Sequence, residues 1–163
     1  MLNIFAKRKQ KKNCIYSFAD GSLTPIENVN DEVFSKKVMG DGLALKLKSD
    51  IIQAPSDGII SMMFPTMHAF GMKLDNGIEL LIHIGLDTVS LKGHGFTKMA
   101  ECGERVKKVK PIIKIDRNYI EKKGYDTTSL LIFVKTNHYK INYFNTGEVK
   151  GGKDIIAVYE RSE

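Results

Sequence analysis

Residues 79–85 read Glu-Leu-Leu-Ile-His-Ile-Gly, and their pattern indicates the type of secondary structure. Every second residue from Leu80 to Ile84 is apolar, while Glu79, Leu81, His83 and Gly85 fall between them, a pattern typical of a β-strand rather than a helix. Because alternate strand residues share a face, Leu80, Ile82 and Ile84 supply core on one side. The opposite side carries the imidazole of His83. The stretch therefore predicts a strand that is buried on one face and bears a histidine on the other.

The sequence just before this strand predicts its neighbour. Asn76-Gly77 separates the strand-like run Phe70–Leu74 from Ile78–Ile84. Both Asn and Gly tolerate positive φ, so this pair favours a two-residue hairpin turn. The two runs are therefore predicted to pair as antiparallel neighbours.

Short strand-like runs bounded by turn residues recur along the chain, and no long helical period interrupts them. They predict an all-β fold, an antiparallel β-sandwich or barrel, with one or two short helices. Asp116 is suited to cap a helix over Arg117–Lys123 that stops at Gly124, and a second turn is expected over Thr97–Cys102. The further strand-like runs are Leu43–Leu47, Ile59–Phe64, Ile112–Ile115, Leu130–Val134 and Ile155–Tyr159.

Composition places the chain among globular proteins. Its 163 residues are 42% hydrophobic and 27% charged, which excludes wholesale disorder and is enough for one compact domain. Apolar runs such as Leu130–Val134 are far too short for a transmembrane helix, and no secretory signal is expected. Two cysteines, Cys14 and Cys102, form neither a disulfide framework nor a metal motif, so a reducing cytoplasm is expected.

The net charge of +6 is concentrated at the N-terminus. Residues 1–12 hold five basic residues and no acid, so the rest of the chain carries 6 − 5 = +1. A nucleic-acid-binding domain spreads its basic residues over a face of the fold, so no nucleic-acid partner is expected. Two domains are predicted: a basic flexible arm over 1–18 and a β-domain over 19–163. Leu2, Phe5 and Ala6 lie at helical spacing, so the arm is either a disordered tail or a weak contact to the inner membrane surface.

Glycine-rich phosphate loops do not explain the chain. Residues 147–154 nearly match the GxxxxGK[ST] nucleotide loop, but Asp154 replaces the hydroxyl that would hold magnesium. The following residues are strand-like, whereas that loop opens a helix, so a hairpin is predicted here. No nucleotide, cofactor or metal site is expected.

The candidate chemistry lies in two histidines and their neighbours. Neutral imidazole is a competent nucleophile, and phosphoramidate formation requires one free ring nitrogen. The backbone carbonyl of Gly85 is unobstructed and suited to hold the other nitrogen of His83 by accepting its proton. His68 is positioned to donate to phosphoryl oxygens if the two segments are neighbours, with Thr66 on the same face to orient its ring.

These segments also resemble a known family, the glucose-type enzyme IIA of the bacterial sugar phosphotransferase system. The resemblance runs from about Val33 to Asn137, and its two histidine motifs are spaced by 15 residues. The motifs that carry it are Val33-Phe34-Ser35, Val38-Met39-Gly40-Asp41-Gly42, Ala54-Pro55, Asp57-Gly58, Phe64-Pro65-Thr66-x-His68-Ala69, Leu81-Ile82-His83-Ile84-Gly85-Leu86-Asp87-Thr88-Val89 and Leu91-Lys92-Gly93-x-Gly95-Phe96.

The resemblance implies an antiparallel β-sandwich of the barrel-sandwich hybrid type and a phosphotransferase activity. A histidine would accept phosphate from the carrier protein HPr and pass it to a cysteine on the IIB domain of a sugar permease (IICB). The implied site roles are phosphorylation at Nε2 for His83, a carbonyl acceptor for Gly85, phosphate contact for His68, a bond to that ring for Thr66, partner-facing acids for Asp41 and Asp87, and an apolar rim for Leu81 and Val89.

Departures from the family pattern bear on partner choice. His94 stands where an acid is common, Val109 replaces a common glycine, and Tyr139–Lys153 matches poorly. Two alternatives stay open from the sequence. One is a regulatory module whose phosphorylation state selects partner proteins, because a phosphoryl group adds roughly two negative charges to an apolar-rimmed surface. The other is a zinc hydrolase with His68, His83 and Asp87 as ligands.

Overall fold

The computed structural model describes residues 13–144 and 147–162. Within these residues the chain forms fourteen strands, so the prediction of an all-β fold is confirmed. The strands are β1 (Cys14–Tyr16), β2 (Gly21–Thr24), β3 (Gly42–Leu47), β4 (Ile51–Gln53), β5 (Gly58–Met63), β6 (Ala69–Lys73), β7 (Glu79–His83), β8 (Phe96–Lys98), β9 (Arg105–Val106), β10 (Pro111–Ile115), β11 (Thr128–Lys135), β12 (Tyr139–Tyr143), β13 (Gly147–Val149) and β14 (Ile155–Arg161).

The strands form one large sheet and two small ones, and all the pairings are antiparallel. The large sheet has the order β13-β2-β3-β11-β7-β6-β5-β9. The small sheets have the orders β1-β14-β12 and β4-β10-β8. The predicted hairpin at Asn76-Gly77 is present, because β6 and β7 pair with Lys73 opposite Glu79 and Ala69 opposite His83. Its loop has three residues rather than the predicted two, because the Leu74 amide donates to the Ile78 carbonyl, and Gly77 but not Asn76 has a positive φ. This hairpin places the segment that precedes β6 beside the end of β7.

The large sheet is buried on both faces near its centre. One face joins the two small sheets in the main core, which includes Leu80, Ile82 and Ile84 as the alternation predicts. The other face forms a smaller apolar cluster with the segment that follows β2, through Ile26 and Phe34. His83 therefore projects from the face of β7 that this second cluster covers in part.

Among the described residues, two short α-helices and two 3₁₀ turns connect the strands. Helix α1 spans Glu32–Ser35 and α2 spans Arg117–Lys122, with 3₁₀ turns at Ile26–Asn28 and Thr88–Leu91. The predicted cap of α2 is confirmed, because the Asp116 side chain accepts a hydrogen bond from the Tyr119 amide.

The turn predicted over Thr97–Cys102 is wrong at its start. Residues 96–98 form β8, in which Thr97 lies opposite Lys114 of β10. The short polar run suggested a turn, but its backbone groups pair with a distant strand instead. A non-local partner therefore outweighed the local signal.

The start of the folded domain and the pairing of residues 147–154 also differ from the sequence predictions. Residues 1–12 of the predicted arm lie outside the described residues, but Cys14–Tyr16 form β1, which is buried and pairs with β14. The folded domain therefore begins before residue 19. The hairpin predicted over 147–154 is also wrong, because β13 pairs with β2 while β14 pairs with β1 and β12.

Among the described residues, no helix has both the length and the apolar character needed to span a membrane.

Candidate functional site

The two predicted histidines lie side by side at one end of the β6–β7 hairpin. His83 is the last residue of β7, and His68 immediately precedes β6. The Ile84 amide donates a hydrogen bond to the His68 carbonyl at 2.7 Å, which joins the two segments beyond the last strand pair. The ring centroids of the histidines are 5.1 Å apart, and the rings meet nearly edge to face at 80°.

The ring of His68 is held by Thr66 and is almost fully buried. Thr66 Oγ1 lies 2.5 Å from His68 Nδ1, and only 6% of His68 is exposed. Burial, and secondarily the neighbouring His83, lower the pKa of His68 to about 4. His68 is therefore neutral at pH 7 and carries one N–H. When Thr66 donates its hydroxyl proton to Nδ1, that N–H lies on Nε2.

The ring of His83 is held by the carbonyl of Gly85. Nδ1 of His83 lies 2.8 Å from Gly85 O, and a carbonyl can only accept, so Nδ1 carries the proton. Burial lowers the pKa of His83, while the Gly85 bond and the carboxylates of Asp31 and Asp87 act in the opposite direction. The neutral ring therefore leaves its Nε2 lone pair free for attack.

Glycine is required at position 85 by both conformation and space. Gly85 has φ +75°, in the left-handed region. A Cβ at this position would lie 2.5 Å from Thr88 Cγ2 and 3.0 Å from Asp126 O. The close turn brings the Gly85 carbonyl back to the ring that is two residues earlier.

Two phenylalanines form the walls of the site, and the sequence analysis assigned neither a role. The Phe34 ring lies 4.8 Å from the His83 ring, and the Phe64 ring lies 5.1 Å from the His68 ring. Phe34 sits on α1, whose N-cap Asp31 accepts from the Val33 amide. The signal was present, since both aromatics belong to the quoted motifs, but their contact with the histidines depends on tertiary packing.

The acids near the histidines include one that the sequence did not single out. Asp87 acts electrostatically on His83, and so does Asp31, which the sequence analysis missed. Asp41 forms an ion pair with Lys37 at 3.4 Å. Burial, and secondarily the charge of Asp41, raise the pKa of Tyr143. Asp87 has φ +58° at the start of a 3₁₀ turn, with no capping bond from its carboxylate.

The apolar rim also differs in one member. Val89 is 50% exposed, as expected of a rim residue, whereas Leu81 is only 4% exposed and packs in the smaller apolar cluster. Leu81 cannot reach a partner, because the segment carrying Phe34 covers its face of β7. Exposed Val38 and Met39, which follow α1, extend the apolar surface instead.

The zinc alternative lacks a ligand set. In the described part of the chain, no group of three or more His, Cys, Asp or Glu side chains is arranged to hold a metal ion. His68 and His83 meet, but each uses Nδ1 for a bond within the protein. The arrangement instead offers one nucleophilic nitrogen beside one imidazole donor in a partly desolvated pocket.

Comparisons with known proteins identify relatives of the whole described fold. Residues 13–139 match the model of the family described as phosphoenolpyruvate-dependent sugar phosphotransferase system, EIIA 1. The chain is 43% identical over 142 residues to the PTS system glucose-specific EIIA component of Buchnera aphidicola subsp. Baizongia pistaciae, covering 87% of this chain and 84% of that protein. It is 38% identical over 144 residues to the glucose-specific EIICBA component of Staphylococcus carnosus, covering 88% of this chain.

The chain spans only 21% of the length of that EIICBA relative. Among solved structures, the glucose permease IIA from Mycoplasma capricolum superposes with a TM-score of 0.84 at 35% identity. That alignment covers 89% of this chain and 94% of the other, so the two share the same β-sandwich.

Proposed function

Because this chain belongs to the EIIA 1 family of the phosphoenolpyruvate-dependent sugar phosphotransferase system, we propose that it is a phosphoryl carrier in sugar uptake. His83 accepts a phosphoryl group from the phosphohistidine of HPr and passes it to a cysteine on the IIB domain of a sugar permease. The observation that carries this proposal is the bond from His83 Nδ1 to Gly85 O, because it directs the free lone pair to Nε2.

The acceptance step requires no proton transfer. Nε2 of His83 forms a bond to phosphorus as the bond from phosphorus to the donor imidazole breaks, and the electrons of that bond remain on the donor ring. The His83 ring becomes positively charged. Its Nδ1–H continues to donate a hydrogen bond to the Gly85 carbonyl, which stabilises that charge. The low polarity of the pocket keeps His83 neutral before attack.

His68 stabilises the phosphoryl group during its transfer. Its Nε2–H, set by the Thr66 hydroxyl, donates to the oxygens of the transferring phosphoryl group. The group is most loosely bound in the transition state, where its charge is spread over three oxygens, so a fixed donor matters most there. Because its pKa is low, His68 is neutral and has no second proton to transfer, so it acts as a hydrogen-bond donor and not as a general acid.

Partners dock on the surface around the histidines. Exposed Val38, Met39 and Val89 provide apolar contact, and Asp31 and Asp87 provide negative charge for the basic residues of a donor. The EIICBA relative combines EIIA with EIICB in one polypeptide, which supports a permease IIB domain as the acceptor. Once His83 carries phosphate, the same surface becomes more negative, which is the property that phosphorylation-dependent regulatory partners would recognise.

Phosphoryl transfer is tested by incubating the chain with phosphoenolpyruvate, enzyme I and HPr. We expect one phosphoryl group per chain, labile in acid and stable in base, at His83. The variant His83→Ala should accept none, while His138→Asn, which changes a histidine outside the pair, should accept as the wild type does. An unmodified wild type, or modification that persists in His83→Ala, would contradict the proposal.

We propose a cytoplasmic location, at the inner face of the membrane where the permease lies. Cys102 is an exposed free thiol, as expected in a reducing compartment. Residues 1–12 would add a weak, salt-sensitive contact to anionic lipid. Co-sedimentation with anionic vesicles at low and high salt, for the full chain and a chain starting at Asn13, tests this. Equal sedimentation of the two chains at low salt would exclude the contact.

A further inference from the structure

The peptide units on both sides of Gly85 are held at both ends. In the unit between Gly85 and Leu86, the carbonyl accepts from His83 Nδ1, and the amide donates to Asp126 O at 2.9 Å. In the unit between Ile84 and Gly85, the carbonyl accepts from Thr88 Oγ1 at 2.5 Å. Its amide donates to the hydroxyl of Ser129 at 3.1 Å.

Ser129 is the least expected of these partners. Its side chain is fully buried in β11, directly before the apolar run Leu130–Val134. Its hydroxyl accepts from the Gly85 amide and donates to Thr127 O at 3.0 Å, so both sides of the hydroxyl are used. A fully buried hydroxyl costs free energy unless its bonds are made, so its presence in the core calls for a reason.

The reason lies in where the strand pairing ends. β7 and β11 remain paired up to His83 opposite Leu130, and there the positive φ of Gly85 turns the chain away. The Gly85 amide consequently leaves the ladder while still buried. The Ser129 side chain replaces the lost backbone partner, one residue before Leu130 on β11.

We propose that Ser129 is a positioning residue for His83, acting through Gly85. Without the bond to Ser129, the unit between Ile84 and Gly85 is held at its carbonyl end alone, by Thr88, and a tilt of this unit moves the Gly85 carbonyl away from Nδ1. The proton of His83 is no longer confined to Nδ1, so Nε2 holds the lone pair for a smaller fraction of the time. Ser129 thus sets the ring tautomer and orientation without touching the phosphoryl group.

This inference rests on His83 as the phosphorylated residue, and its test separates the two ideas. Thr and Val have nearly the same shape but differ in the hydroxyl, so Ser129→Thr and Ser129→Val form a matched pair. Thr128→Ala, on the same strand but with no bond to the turn, is a further control. The full chain is labelled with ¹⁵N-histidine, and the imidazole nitrogen shifts of His83 report the tautomer directly.

We expect Ser129→Thr and Thr128→Ala to keep the proton on Nδ1, and Ser129→Val to show a mixture of tautomers. Acceptance from phosphorylated HPr should fall about tenfold or more in kcat for Ser129→Val, with KM unchanged, because the donor still docks. Equal tautomer populations and equal kcat in the Thr and Val variants would overturn the inference. If the wild type accepts no phosphate, the proposed function fails, yet the nitrogen shifts still decide the role of Ser129.

Discussion

The amide of Ile84 donates to the carbonyl of His68 at 2.7 Å, and this one bond ties together the two segments that carry the histidines. It follows directly after the pair of Ala69 and His83, so it extends the β6–β7 ladder by one step. The rings of the two histidines are consequently 5.1 Å apart, because the backbones that carry them are hydrogen-bonded neighbours.

His68→Gln should separate the two half-reactions. The variant retains the His83 nucleophile, so it should still accept phosphate, but it should pass the group on more slowly. Loss of one oriented donor costs about 3 kcal/mol in the transition state, or roughly a hundredfold in rate. Single-turnover acceptance and donation measure the two steps, with His94→Gln as the control. A donation rate equal to that of the wild type would contradict the role of His68 as a phosphate donor partner.

Removing the wall over His83 should change both stability and ionisation. Phe34→Ala removes a buried ring, which costs about 3 kcal/mol or more. Burial lowers the pKa of His83, so admitting water should raise that pKa towards its ordinary value. Denaturant unfolding and an NMR titration measure the two effects. Phe144→Ala, at a ring that is 51% exposed, should change neither; an unaltered His83 titration in Phe34→Ala would contradict the role of the wall.

The requirement for glycine at position 85 can be tested by comparison with Gly124, where an added Cβ would contact no other atoms. Gly85 and Gly124 both have positive φ, but only at Gly85 would a Cβ meet other atoms. Gly124→Ala should cost about 1 kcal/mol from conformation alone. Gly85→Ala should cost about 2 kcal/mol more, because Thr88 and Asp126 must shift. Thermal and denaturant unfolding of both variants provides the comparison, and equal losses would refute the close packing of this turn.

The free energy of unfolding should decrease as the pH is lowered, because His68 becomes protonated. Its pKa is about 4 in the folded protein and near 6.5 when unfolded, so the unfolded chain binds a proton first as the pH decreases. The contribution is therefore present above pH 6.5 and is lost between pH 6.5 and 4, amounting to roughly 3 kcal/mol. Urea unfolding at several pH values measures it. His68→Gln should show a flatter dependence over this window, and parallel curves for both proteins would exclude His68 as the cause.

Much of the fold follows from local pattern. The alternation at 79–85 correctly predicted which residues of β7 enter the main core, and Asn76-Gly77 predicted the hairpin that pairs β6 with β7. The cap at Asp116 likewise set the start of α2. These features succeed because strand parity, the position of a turn and capping each depend on a few adjacent residues.

Pairing between distant strands was not accessible in the same way. Residues 147–154 resemble a hairpin, yet β13 pairs with β2, which lies more than a hundred residues earlier. Thr97 resembles a turn residue, yet it lies in β8 opposite Lys114. The sequence of a short segment indicates that it can form a strand, but the packing of the whole sheet selects the strand with which it pairs.

The sequence by itself determined the alternation that puts His83 on the less buried face of its strand and the glycine that lets the chain fold back on its ring. It also determined the Thr-x-His spacing from which the Thr66 contact with His68 follows. The folded chain was needed to show that Phe34 and Phe64 flank the rings, that Leu81 is covered, that Asp31 acts on His83, and that Ser129 holds Gly85. The reason is physical: parity and φ are properties of neighbouring residues, whereas burial, field and a buried hydrogen bond depend on which distant segments the folded chain brings together.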